Sequence, residues 1–288
     1  MIQKHTPFIF LLPAFLLLVV FLVGPLLAGI YMSLEKTSLS GATSFVGLLN
    51  YSQLFHEGNR FFTNLKISLI YVLSNICLTI PMAYATALLI TKDSGLSRFF
   101  RSLYLIPWIS APVVSTLMVR SMLDPDMGLI HLIVKFFAGH DVYILNNGRY
   151  ALIVMILHSF WRSFPFIMLF LAAGMSTIPN EFYEAAKIDG AGKVKSFFYL
   201  TLPLTANQLC IGVLMVTIWT LQDSESVYAL TKGGPGYSTE TLAVRLFKSS
   251  FVNFDLNIGA AIGMILILIS LVFMSLYLKV LLKESIYE

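Results

Sequence analysis

The chain has 288 residues, of which 57% are apolar and only 12% charged, and its mean hydropathy is +0.81. Soluble domains carry about 25% charged residues, so this composition excludes an ordinary globular enzyme and indicates a protein that crosses a bilayer several times. The formal charge of +4 is too small and too dispersed for a nucleic-acid surface.

A membrane-crossing helix needs about 20 mostly apolar residues. Six stretches supply them, at about 8–32, 65–91, 99–122, 150–175, 205–222 and 257–282. The first follows Lys4 as a secretory signal would. It is too long for one, however, and Pro25 follows without a small-x-small cleavage site, so it is expected to be a retained helix. Cys77 and Cys210 lie within apolar runs and read as small core residues, not as a disulfide or metal pair. The connections after the first, third and fifth spans have about thirty residues each, long enough to hold short helices or strands. As spacers or as docking surfaces they are equally admissible.

Six crossings place both ends on one side. With the N-terminus inside, nine basic residues fall on each side, so the count alone does not orient the chain. The inside loops are shorter and their basic density is higher, which favours the N-in arrangement. The short Lys92–Arg101 connection, which also holds Arg98, is its best single indicator.

Arg162 is the one basic residue deep in an expected span. A charge there costs at least ~2.5 kcal/mol, so it should face a bundle interior or wet cavity and have a partner. Its long side chain also permits snorkelling to the interface. Trp161 and Phe166 beside it offer flat apolar faces, Ser163 a hydroxyl, and Pro165 removes a backbone donor. Asp223 is the expected partner of Arg162, with Glu225 second. The fifth span ends in Thr217, Thr220, Gln222, Asp223, Ser224 and Glu225, either as a helix emerging into water or as one wall of a polar site.

Between the fourth and fifth spans lies a charged stretch at about 179–203. Asn180 is an expected N-cap, with Glu181 and Glu184 near the positive end of the helix dipole. Phe182, Ala185, Ala186 and Asp189 fall on one helical face, and the two alanines would let another backbone come close. Gly190 and Gly192 break the helix, and Lys193–Tyr199 can form a second. An interfacial helix would show a broader apolar face; this one suits a protein cleft.

Glu184-Ala185-Ala186, then Asp189-Gly190-Ala191, then Leu202-Pro203 resembles the EAA loop of bacterial ABC importer permeases. Leu230-Thr231-Lys232-Gly233-Gly234-Pro235, with Thr239 and Leu242 downstream, resembles the GGP segment of sugar-type permeases related to the maltose and glycerol-3-phosphate permeases. Further matches run from Gly47-Leu48, Asn50-Tyr51 and Asn64, through Leu103-Tyr104 and Pro107, to Trp161, Pro165-Phe166 and Ile178-Pro179. The likeness thus covers nearly the whole chain. Two departures stand out: Thr205-Ala206-Asn207 where the family often has another proline, and Arg120-Ser121-Met122-Leu123 where a tryptophan is common.

The resemblance implies an all-α integral membrane protein of six transmembrane helices with the type I ABC importer transmembrane-domain fold, residues 1–288 forming one permease domain in a bacterial cytoplasmic membrane, termini inside. It implies a translocation path for a sugar or related carbohydrate, with an anionic solute such as a sugar phosphate, glycerol phosphate or uronic-acid saccharide as the alternative. The solute pocket it implies is formed by Trp161, Arg162, Ser163 and Phe166 with Val216, Thr217, Thr220 and Asp223. Glu184, Ala185, Ala186, Asp189, Gly190 and Ala191 are implied to couple to an ATPase, and Gly233, Gly234, Pro235 and Thr239 to form an outer turn. The implied partners are a second, homologous permease, two ATPase subunits holding ATP and Mg²⁺, an external solute-binding protein, the carbohydrate itself and membrane lipid; no cofactor is bound by this chain. No G-x-x-x-x-G-K-[ST] loop occurs, so the chain is not itself the ATPase. His131, His140 and His158 are scattered and read as structural or interfacial. Mid-span acids that would suit an ion-coupled transporter are essentially absent, as are clustered catalytic or metal-binding groups.

Overall fold

Four of the six apolar stretches form single long helices, and two are broken. The computed structural model describes residues 6–38, 41–56, 58, 60–90 and 103–284. Lys4 and the Lys92–Arg101 connection, with the expected start of the third span at 99, lie outside the described residues. Two compact units result, 1–63 with 245–268 and 64–244 with 269–288.

In the first unit, α1 (Thr6–Leu18) continues through wider π-type turns at Val19–Val23 into α2 (Gly24–Ser33). The wide turn closes from Gly24 N–H to Val19 O immediately before Pro25, which has no N–H to give. Among its described side chains only Ser33, at its end, is buried within the chain. A two-stranded antiparallel hairpin follows, β1 (Glu35–Thr37) and β2 (Thr43–Phe45), with Lys36 opposite Ser44, and then α3 (Leu49–His56). Asn50 is buried and ties these pieces together, its Nδ2 donating to Ser33 O and Glu35 O, both at 2.8 Å. Asn257, at the start of α15 (Leu256–Glu284), donates to Met32 O at 3.0 Å and accepts from Thr37 N–H at 3.0 Å.

The second unit is built on α4 (Arg60–Ile90) and α8 (Gly148–Ser176). The third stretch splits into α5 (Leu103–Ile109) and α6 (Pro112–Met122), bent by 105°. Ala111 is extended, and Pro112 opens α6 where its missing N–H costs nothing. The fifth stretch splits likewise. α10 (Lys193–Ser196), π-type turns at Phe197–Thr201 and α11 (Leu202–Leu204) form one rod, bent by 74° against α12 (Ala206–Gln222). The second short helix therefore runs past Tyr199, the expected limit. At the bend, Thr205 Oγ1 donates to Thr201 O at 2.7 Å, a side-chain bond that competes with the helix ladder. Six crossings are reached if each bent pair counts as one span.

Short helices fill two long connections of this unit: α7 (Leu129–Ala138), then α13 (Glu225–Thr231) and α14 (Leu242–Phe247). Ala83, Tyr84 and Ala87 of α4 pack with Ile167, Met168 and Leu171 of α8 and Val216 of α12. The small alanines allow this approach, as between helices in lipid. Tyr71, Met155, Val227, Leu230 and Val244 form a second cluster.

The structure corrects the reading of Cys77, which is exposed and not in the core; Cys210 is half-buried. His131 and His158 are buried and hydrogen-bonded, as structural residues are.

Candidate functional site

On α8, Ser159, Arg162 and Ser163 occupy positions i, i+3 and i+4 and so share a face. They line a cavity of about 340 Å³ with Trp108 and Pro112 from the α5–α6 bend, and Trp219, Thr220, Gln222, Asp223, Ser224 and Glu225 from the end of α12 and the turn into α13. Thr220 stands in the wall, the second of the two arrangements that the polar helix end allowed. Aromatic rings form the apolar part. Phe166 stacks on Trp108 with centroids 4.9 Å apart, and meets Trp219 edge-on at 5.2 Å.

Behind the cavity lies a buried polar node. Asn75 of α4 donates to Ser159 Oγ at 2.9 Å and to Thr220 Oγ1 at 2.6 Å. Its Oδ1 accepts from Thr79 Oγ1 at 2.9 Å and Ser163 Oγ at 3.3 Å. All four groups of this amide are used, and they fix α4, α8 and α12 at one level.

The charged residues differ from expectation. Arg162 does not pair with Asp223. Its Nη1 donates to Ser226 Oγ at 3.2 Å, and its buried Nε has no partner among the described residues. Asp223 accepts instead from the Tyr71 hydroxyl at 2.9 Å and from the Ser226 backbone N–H at 3.1 Å. The backbone turns at Asp223 as α12 ends, and each of its carboxylate oxygens accepts one bond, from the first turn of α13 and from α4, while the residue still lines the cavity.

Four of the eight residues expected at a solute pocket therefore come together: Arg162, Ser163, Thr220 and Asp223. Trp161 does not line the cavity. It is one residue, about 100° of helix, from Arg162, lies beside His158 and is substantially exposed. Val216 is fully buried in the α4–α8–α12 core. Thr217 turns to the other side of α12, donating to Val213 O at 2.7 Å and meeting the Tyr277 hydroxyl at 3.2 Å. Phe166 acts through the two tryptophans it supports. Trp108, Trp219 and Asn75 were missed. Trp219 carried a usable signal, at i−3 from Gln222 and i−4 from Asp223 on the same turn of helix.

The charged loop folds as expected in outline. α9 (Asn180–Ile188) begins directly after Pro179, and Asn180 is its first residue rather than a side-chain cap. It closes in a Schellman motif: Ala191 N–H donates to Ala186 O at 2.8 Å and Gly190 N–H to Lys187 O at 3.1 Å. Gly190 has φ +75°, the left-handed conformation that glycine adopts without penalty. Glu184, Ala185, Asp189 and Phe182 are exposed, whereas Ala186 is half-buried, so the expected four-residue face is split. The Tyr183 hydroxyl lies 3.1 Å from Thr201 Oγ1 and holds α9 against the following rod. Ile188 and Tyr199 are more than 80% exposed, giving the loop large apolar side chains at its surface that the alanine pattern did not reveal.

Gly233-Gly234-Pro235 forms a turn. Thr239 Oγ1 donates to Gly234 O at 2.7 Å and stands 2.6 Å from Thr231 Oγ1. Gly233 has φ +84°, and a Cβ there would sit 3.2 Å from the Glu240 side chain. Asn64 of α4 donates to Glu240 O at 2.6 Å, which fastens the segment beyond the turn.

Apolar helices long enough to cross a bilayer, a charged cavity between α8 and the two bent helix pairs, and an exposed charged loop define a membrane-transport subunit. The chain belongs to the family described as binding-protein-dependent transport system inner membrane component, whose model matches residues 66–281. It is 30% identical over 283 residues to the probable ABC transporter permease protein YurN of Bacillus subtilis, covering 96% of each chain. It is 29% identical over 276 residues to the sn-glycerol-3-phosphate transport system permease protein UgpA of Shigella flexneri, covering 94% of this chain and 92% of that one. Its fold matches a bacterial alginate ABC transporter in complex with an alginate pentasaccharide-bound periplasmic protein, with TM-score 0.82 at 19% identity over 96% of this chain and 93% of that one. A second bacterial ABC transporter, involved in import of the acidic polysaccharide alginate, gives 0.83 at 18% over 96% and 95%. The expected ABC-importer transmembrane fold is thus the one observed, with two of its spans bent.

Proposed function

We propose that the whole chain acts as one permease domain forming half of the path for a carbohydrate, and that the solute passes through the Arg162–Asp223 cavity. The observation that carries this is the pairing of flat aromatic walls, Trp108 and Trp219, with hydroxyl, amide and ionic groups around one space. A sugar ring presents apolar C–H faces and a rim of hydroxyls, so it matches both. Two carboxylates, Asp223 and Glu225, stand against one guanidinium in this lining, which favours a neutral solute. A second reading rests on Arg162: among the described residues it has no ion pair, and a guanidinium with unmatched donors binds phosphate or carboxylate through two parallel hydrogen bonds. Relatives named for sn-glycerol 3-phosphate and alginate are in keeping with that alternative.

A homologous permease would complete the path, two ATPase subunits would hold ATP and Mg²⁺, and an external binding protein would deliver solute. The loop from Glu184 to Tyr199 meets the ATPase, with Phe182 and Ile188 entering its groove beside Ala185. Both termini and this loop are cytoplasmic, and the Gly233-Gly234-Pro235 turn is external. Lys195→Cys and Lys232→Cys, at exposed positions, test the orientation. An impermeant thiol reagent added outside should reach only Lys232→Cys; the reverse pattern inverts the topology. Trp219→Ala and Arg162→Gln test the cavity. With a neutral solute, the first should impair transport strongly and the second partially. With an anionic solute Arg162→Gln should abolish it. Normal transport in both places the path elsewhere.

A further inference from the structure

The helix α7 shows two unlike faces. Leu129, Leu132, Ile133, Phe136 and Phe137 recur at i, i+3, i+4, i+7 and i+8 and are all exposed; Phe136 and Phe137 reach 82%. On the other side His131 is buried, its Nε2 3.0 Å from Asp141 Oδ1, and Lys135 Nζ lies 2.8 Å from the same carboxylate oxygen. A stripe of five large apolar side chains is an unstable surface in water and needs a cover.

The chain's geometry confines what that cover can be. α7 is joined to α6 by residues 123–128 and to α8 by 139–147, so both its ends are tied to membrane-crossing segments. The first link is folded back on itself: Gly128 N–H donates to Asp124 O at 2.9 Å, and a Cβ at Gly128 would lie 2.5 Å from that oxygen. α7 is therefore held at the level where α6 ends. It shares an apolar groove with the start of α8, formed by Val134 and Ala138 on one side and Tyr150 and Ile153 on the other. Tyr150, Ile153 and Leu157 form an outward row along α8, about half-exposed at i, i+3 and i+7. The α7 stripe thus adjoins an exposed, mostly apolar row on a helix long and apolar enough to cross a bilayer.

We propose that α7 lies in the plane of the membrane surface, with Leu132, Ile133, Phe136 and Phe137 buried in lipid at the headgroup–acyl boundary. An amphipathic helix in this position sinks its apolar face about 5–10 Å into that boundary. The Asp141 cluster stays on the aqueous side and fixes the roll of the helix. Tyr143 and Tyr150, each about half-exposed, stand at the same level with apolar rings and polar tips, the distribution found at membrane interfaces. A transient partner protein fits less well, because reversible interfaces are no more apolar than ordinary protein surface.

The test is site-directed spin labelling of the assembled transporter in lipid nanodiscs. Cysteines are placed singly at Ile133, Phe136 and Phe137 in a Cys77→Ser, Cys210→Ser background. Collision rates with oxygen, which concentrates in lipid, and with a water-soluble nickel chelate are compared. The expected result is oxygen contact several-fold above chelate contact at all three sites. Phe136→Asp added to the Phe137 label should raise chelate contact several-fold. High chelate contact without that substitution means the stripe faces water, and low contact with both reagents means protein covers it; either overturns the proposal. Because the positions are exposed, labels should not disturb folding. If a labelled complex fails to assemble, Phe137→Trp with bromine-labelled lipids gives the same decision through quenching of the added fluorescence.

Discussion

Replacing Asn75 by alanine would remove the amide that joins α4, α8 and α12 behind the cavity. Its contacts to Ser159, Ser163 and Thr220 cross between helices; that to Thr79 stays within α4. Interhelical hydrogen bonds in membrane proteins average about 0.6 kcal/mol and reach about 1.7. Three of them, with the side chain fully buried, give a loss of about 2 kcal/mol, or roughly 30-fold in the folding equilibrium. Unfolding of the purified protein in mixed micelles by increasing denaturing detergent would measure it. A double-mutant cycle with Thr220→Val isolates the 2.6 Å contact, and the coupling should fall between about 0.5 and 1.7 kcal/mol. Coupling indistinguishable from zero, with Asn75→Ala neutral, would refute the view that this node sets the level of the three helices.

Three other predictions concern the loops. Gly190→Val forces a β-branched residue to φ +75°, at a local cost of about 1–2 kcal/mol, and should uncouple ATP hydrolysis from transport while solute capture by the binding protein persists; coupled transport at the normal rate counts against the loop's role. Thr239→Val removes the hydrogen bond to Gly234 O, worth about 1 kcal/mol, and should slow transport without weakening nucleotide binding by the complex, whereas a loss of nucleotide binding would contradict placing the turn away from ATP. The hydrogen bond from Lys135, and then that from His131, hold the Asp141 carboxyl below the usual aspartate value, while Asp141 raises Lys135. A depressed carboxylate adds stability above its unfolded value, lost as pH falls through the folded one, so a spin label on α7 should keep its mobility at neutral pH and loosen only below the ordinary aspartate value of ~3.9; loosening between pH 5 and 7 would assign the anchor to another group.

Much of the architecture was legible because apolar length and helical period are local properties. The charged loop was legible for the same reason: Gly190 ends α9 where a left-handed residue is required. The bends were not: Thr205 meets the Tyr84 hydroxyl of α4 at 2.9 Å, a partner outside its own segment, and Ser110-Ala111-Pro112 lies inside an apolar run long enough to read as one span. The cavity was half legible. Arg162 and the polar end of α12 stood out as charges and hydroxyls in apolar surroundings, but sequence neighbourhood misled at Trp161, which points a different way round the helix from Arg162. Asn75 and Trp108 looked ordinary in their segments, and only the packing of separate helices brings them to the site. Asp223 was expected to serve Arg162; the backbone turn at the end of α12 commits it to Tyr71 and Ser226.

The most direct test is reconstitution of this chain with its candidate permease, ATPase and binding-protein partners in proteoliposomes, followed by uptake of labelled carbohydrates. Accumulation should require both ATP and the binding protein, should survive collapse of ion gradients, and should fall sharply in the Trp219→Ala complex. Uptake that proceeds without ATP or binding protein, or that an ion gradient alone can drive, would contradict the account.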